Sequence, residues 1–290
     1  MATTGNQYIA VPGAERGSKH DATAFKVGVY SYERVDLQTS AVGSTTGSTM
    51  YPSHTIGDKI ILGERVFYYG RTANAANAIP GELYQSALSG TSLANNCNNC
   101  AVYANATAGS YQFQLIAQVA YTIPNYFFGG YMNIVIPSAA NLQTTIRIAA
   151  TSNTTLIGAN NVMTVTLFDP LPFTLTTGAN VSLTQSIWDR PVTMNATLPT
   201  GVPCGVPLVT IPGSNNTANA ANYDYYGWFQ TWGPCAILTN AVGVMGFGLG
   251  PGAQNGTVAN VSNALQPILG WTMRIQGANN WAMAYLQIAP

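Results

Sequence analysis

Ionisable side chains are scarce in this sequence. Charged residues make up 7% of the 290, against about 25% in an ordinary soluble domain. Ten acids balance ten bases, so the net charge is zero. The scarcity is uneven: residues 1–82 hold seven of each sign, and residues 83–290 hold only Asp169, Asp189, Asp224, Arg147, Arg190 and Arg274. Nothing in that pattern could neutralise a row of phosphates, so nucleic-acid binding is not expected. Low charge is not the signature of disorder here. Hydrophobic residues make up 47%, enough to bury a substantial core. The surface is therefore built largely of Asn, Thr, Ser, Gln and Gly. Such a surface lacks the self-repulsion that keeps proteins apart, and it suits a chain packed beside copies of itself.

Groups that do chemistry are equally thin. The two histidines, His20 and His54, fall in the irregular N-terminal region and read as solvent-exposed. No G-x-S-x-G elbow occurs. A glycosidase needs two carboxylates roughly 5–10 Å apart. Asp169 and Asp189 stand just before Pro170 and Arg190-Pro191 and read as turn residues, while Asp224 opens an aromatic run. Gly246, Gly248, Gly250 and Gly252 do not form G-x-G-x-x-G and read as a tight loop of small residues. Cys97 and Cys100 form one C-x-x-C, and Cys204 and Cys235 are isolated. A four-cysteine zinc site normally has a second close pair, and a redox C-x-x-C opens a helix beside a βαβ unit. Neither context is present, and a Cys97–Cys100 disulfide and free buried thiols both stay open. An enzyme is not expected, nor a cofactor or metal.

Membrane insertion is not expected either. Residues 236–253 are uncharged, but four glycines before Pro251, that proline and Asn240 interrupt them, and a spanning helix needs about 20 mostly apolar residues. Met1-Ala2-Thr3-Thr4-Gly5 is neither basic nor followed by an apolar run, so no signal peptide is expected.

What the sequence has in quantity is short extended segments. Tyr111, Phe113, Leu115, Ala117, Val119 and Tyr121 alternate with Gln112, Gln114, Ile116, Gln118 and Ala120, a period of two that gives one buried face. Strands are also expected at 26–32, in a hairpin over 56–69 turning at Leu62-Gly63-Glu64, and at 81–87, 130–136, 144–149, 162–168, 179–187, 206–211, 257–261, 269–276 and 282–288. Gly, Pro and Asn clusters divide them. Residues 95–100 read as a turn-rich island. The stretch 223–238 holds Tyr223, Tyr225, Tyr226, Trp228, Phe229 and Trp232 within ten residues and breaks at Gly233-Pro234. As a strand it is apolar on both faces, which predicts a central element where the chain converges. Tyr225, Tyr226, Trp228, Phe229, Trp232 and Pro234 are the expected core or interface residues. A sugar-binding aromatic platform is the sharper alternative for the same run.

The expected fold is all-β: a β-barrel or β-sandwich body of many short antiparallel strands with an extended N-terminal arm. The expected division is an arm over 1–55, a small barrel-like unit over 56–125 and a larger sandwich over 126–290, the last boundary being open to merger into one body.

Three pieces carry a resemblance. They are residues 57–81 (with GERVFYYGRTANA, then PG), 164–175 (TVTLFDPLPFTL) and 225–238 (YYGWFQTWGPCAIL), the last with a closing strand ending in Tyr285-Leu286-Gln287-Ile288. In order and texture, residues 56–290 resemble virion structural proteins of tailed bacteriophages, in particular the capsid decoration or cement type. The resemblance implies an all-β subunit on the outer capsid surface. It would contact the major capsid protein and copies of itself, as a trimer or other ring, and the resemblance implies no active site. Two other readings share the composition: a glycan-binding fibre, spike or lectin-like β module, and a self-assembling filament or surface-layer subunit.

Overall fold

The computed structural model describes residues 54–72, 77–86, 96–121, 125–136, 142–196, 198–211, 222–241, 243–262, 266–274 and 280–290, together with four short strands before residue 45. Among the described residues there is no helix, and the fold is all-β. The strands in order are β1 (Ile9–Val11), β2 (Ala24–Val27), β3 (Tyr30–Glu33), β4 (Ser40–Ser44), β5 (Lys59–Leu62), β6 (Arg65–Arg71), β7 (Tyr84–Gln85), β8 (Asn96–Ala101), β9 (Gln112–Ala117), β10 (Tyr131–Ile136) and β11 (Leu142–Thr151). They continue with β12 (Thr155–Ile157), β13 (Asn160–Leu167), β14 (Asn180–Thr184), β15 (Val192–Thr193), β16 (Pro203–Pro207), β17 (Asn222–Thr239), β18 (Gly248–Pro251), β19 (Val258–Asn260), β20 (Gly270–Arg274) and β21 (Asn280–Gln287). Most of the expected arm over 1–55, His20 included, lies outside the described residues.

The aromatic run becomes β17, 18 residues long. It pairs with β4 and β6 along its first half, with β16 near its middle, and with β21 and β19 along its second half. One strand can serve so many partners because its ladder is handed over midway. The register slips between Gln230 and Trp232, and Gly233 adopts a positive φ of 84°. A Cβ at Gly233 would collide with the Glu64 carbonyl oxygen, so glycine is required by both φ and space. The Gln230 amide Nε2 secures the slip by donating to the carbonyls of Trp232 (2.9 Å) and Pro234 (2.8 Å).

Beyond the slip, the sheet order β17–β19–β18–β20–β21, with β21 returning to β17, closes a small barrel. Closure leaves no free strand edge there. Its interior holds Cys235, Ile237, Leu249, Val258, Leu269, Ala284 and Leu286. The glycine-rich stretch expected to be a loop contributes β18 to this wall. Small residues fit a tightly curved wall, and composition alone does not separate that use from a turn.

The second sheet runs β12–β13–β11–β10–β14–β8, with β9 on the other flank of β13. It curls into a half-barrel whose margins meet at the Val102–Leu115 bridge. Phe113, Leu115 and Ala117 point into its core while Gln112 is exposed, as the period-two pattern requires. Residues 96–101, read from sequence as a turn island, are instead β8, paired with β14 and carrying a Cys97–Cys100 disulfide.

These pairings cut across the expected boundary at 125/126. β5 and β6 join β17, whereas β9 joins β13. The half-barrel is in effect inserted between β7 and β15, which pair with each other as Gln85–Val192 and Tyr84–Thr193. Strand positions are local information but partners are not, and closing a long loop costs only slightly more than closing a short one.

Polar contacts, the Arg71–Asp189 pair among them fully buried, clamp the half-barrel to the main sheet. Arg71, on β6, places Nε 2.6 Å from Oδ1 and Nη2 2.8 Å from Oδ2 of Asp189, both side chains being essentially solvent-free. Gln185 Nε2 donates to the same Oδ2 at 2.7 Å. Arg147 of β11 donates through Nη2 to the Ile56 carbonyl at 2.6 Å and stands over the Phe168 ring. The C-terminus is fastened as well: Lys59 Nζ and Tyr68 Oη both donate to the Pro290 carbonyl.

Candidate interaction surface

The aromatic residues of β17 divide between core and surface at the register slip. On the first half, Tyr226 and Trp228 enter a cluster with Ile56, Phe67 and Tyr69, while Phe229 points the other way into a cluster with Tyr84, Cys204 and Ile211. Tyr225 is half-buried against the second cluster. His54, expected in solvent, is instead half-buried, its ring edge-on to Tyr69 and Trp228 at 5.2 and 5.0 Å. The gain from aromatic edge contact explains its place. Trp228 is thus buried, and that part of β17 presents no exposed tryptophan.

On the second half, Trp232 and Pro234 are half-buried and face the outside of the barrel. Register fixes what lies beside them. Pro234 stands opposite Tyr285, Ala236 opposite Met283 and Leu238 opposite Trp281. Tyr285 in turn stands opposite Trp271 on β20. Opposed residues share a face, so β17, β21 and β20 present one continuous outward panel of Trp232, Pro234, Ala236, Trp281, Met283, Tyr285 and Trp271. Trp271, Trp281 and Met283 are 42%, 45% and 41% exposed. Alternate positions of the same strands, Ala282, Ala284 and Leu286, are buried inside the barrel.

Contacts within the chain hold several of the panel's side chains. Trp271 Nε1 donates to Gln287 Oε1 at 2.6 Å. Trp232 meets Tyr285 edge-on at 6.2 Å between ring centres. Trp281 lies over Gly81 so closely that a Cβ there would overlap the indole. Sequence reasoning picked out Trp232 and Pro234 but missed Trp271 and Trp281. In residues 269–276 the apolar Trp271 and Met273 alternate with Gly270, Thr272 and Arg274, a pattern that points the Trp and Met inward, whereas the structure buries Gly270 and Thr272 and exposes Trp271 and Met273; Trp281 lies just outside the expected strand 282–288.

A second exposed apolar feature lies on the half-barrel. β12 is an edge strand, all three of its residues are exposed, and Leu156 is 69% exposed. Tyr111, Tyr131 and Phe168 are also exposed on that part of the molecule.

Asp189 is engaged by Arg71 and Gln185, and Asp169 is exposed in a bend. Among the described residues no group of three His, Cys, Asp or Glu side chains could hold a metal ion, and no helix is long and apolar enough to cross a membrane. Cys204 and Cys235 are buried and free. Burial pushes the Cys204 thiol well above its ordinary range and the Cys235 thiol up to about 12, the latter against the opposing pull of Arg65. Neither is a nucleophile in the folded chain. No protein-family model, curated protein or solved structure matches the chain.

Proposed function

We propose that this chain is a structural virion subunit that decorates a tailed-phage capsid and stabilises the shell by bridging neighbouring major capsid subunits. The observation that carries the reading is the presence of apolar surface on both sheets: the panel on the barrel and the bare β12 edge on the half-barrel. A bridging subunit needs two contact regions held in fixed relation. The buried Arg71–Asp189 pair and the half-buried Arg147–Ile56 contact join the two sheets. The near absence of charge over residues 83–290 removes the repulsion that would oppose dense packing on a lattice. The resemblance carried by residues 57–81, 164–175 and 225–238 points the same way. Many weak repeated contacts hold such a layer without any single strong site.

The test is to strip the subunit from purified particles and add it back. Stripped particles should lose integrity on heating and at low salt, and the purified chain should restore it. Equal survival of stripped and intact particles would refute the cement role.

A further inference from the structure

We infer that the outward panel of β17, β21 and β20 is the surface by which two copies of this chain bind each other face to face. This deepens the reading of the chain as a contact-making subunit and rests on it, while naming the partner at one surface. Three observations carry it.

The panel has the size of a functional patch. With ~150–250 Å² for each aromatic side chain, the exposed fractions of its residues leave roughly 400–500 Å² of contiguous apolar surface, the size at which such patches on monomers are usually functional. A stable pair buries about 800 Å² on each partner, a polar rim included, and Gln287, Asn280 and Arg274 supply such a rim.

The panel is preorganised. Trp281 is seated on Gly81, Trp271 is held by Gln287, and Trp232 is held by Tyr285. Rigid aromatics of this kind act as the anchors of interfaces, because little ordering is left to oppose binding.

Charge identifies the partner. The panel carries no acid and has one base, Arg274, at its margin. A charged partner gains nothing there, and a panel in a closed barrel offers no strand edge for an extended peptide to join. A second surface of the same uncharged kind is the match, and every molecule of this chain carries one.

The experiment is sedimentation equilibrium of the full chain and of two single variants, Met283→Glu and Trp271→Ser, each checked by circular dichroism and thermal melting for an unchanged fold. Both positions are exposed, so neither substitution disturbs the core. The native chain should associate, and each variant should weaken association at least about 30-fold, as for loss of an interface anchor. A parallel binding assay on stripped particles separates this inference from the decoration reading. Association of the native chain, lost in folded variants, supports the inference whether or not particles are bound. A native chain that stays monomeric, or variants that associate as well as the native chain, would overturn it. So would variants that leave association unchanged but lose particle binding, or a panel whose tryptophan fluorescence responds to polysaccharide in a monomeric chain.

Discussion

Breaking the Arg71–Asp189 pair should loosen the half-barrel from the main sheet. The two side chains are 3% and 0% exposed and meet through two short hydrogen bonds of 2.6 and 2.8 Å. Their backbones are joined as well: Arg71 N donates to the Trp188 carbonyl and Arg190 N to the Arg71 carbonyl. Removing one member leaves a charge in a place that water does not reach, and the expected loss is about 3–5 kcal/mol. Arg71→Met and Asp189→Asn should each lower stability by that amount. In the double variant no charge remains, and the side-chain amide introduced by Asp189→Asn still offers its oxygen to the Gln185 donor. The double variant should therefore be more stable than the sum of the single losses by on the order of 2–3 kcal/mol. Urea denaturation followed by tryptophan fluorescence measures all four corners of the cycle. Single losses below about 1 kcal/mol, the range of exposed pairs, with additive behaviour in the double variant, would refute the description of the pair as a buried clamp.

Three further outcomes are expected of the folded chain. Thiol labelling of the native chain should leave Cys204 and Cys235 unmodified, whereas unfolding should expose both; burial raises both thiol pKa values, the second to about 12. Tyr84 and Tyr121 are raised from their ordinary value of 10.0 to about 12, chiefly by burial. The folded chain then keeps protons that the unfolded chain gives up, so this contribution is intact below pH ~10 and is lost as pH rises towards ~12; denaturation midpoints across that range check the sign. Gly233→Ala should destabilise by about 1–3 kcal/mol, because a side chain at φ 84° is strained and its Cβ meets the Glu64 carbonyl; a thermal melt reads it.

Much of the fold was legible because it is written in local patterns. The alternation of residues 111–121 gave β9, the Leu62-Gly63-Glu64 break gave the β5–β6 hairpin, and the two-sided apolar run at 223–238 gave β17 as a central strand. What was hidden depends on partners far away in sequence. Asp189 read as a turn residue because Arg71 lies 118 positions from it. β8 read as a turn because an Asn-rich strand owes its extension to pairing with β14, not to its own propensity. The outward panel was half visible for the same reason. Trp232 and Pro234 stood out in the aromatic run, whereas Trp271 and Trp281 join them only through the register of β20, β21 and β17. In a chain so poor in charge, no ring of Lys and Glu marks the outside of a strand.

The most direct measurement of the central claim is the copy number and symmetry of this chain in intact particles, by quantitative mass spectrometry and image reconstruction. A subunit that works by contact should be present in a copy number fixed by the icosahedral lattice, on the outer surface, with panels of β17, β21 and β20 facing one another. A chain absent from particles, or arranged on a helical rather than an icosahedral lattice, would contradict the account.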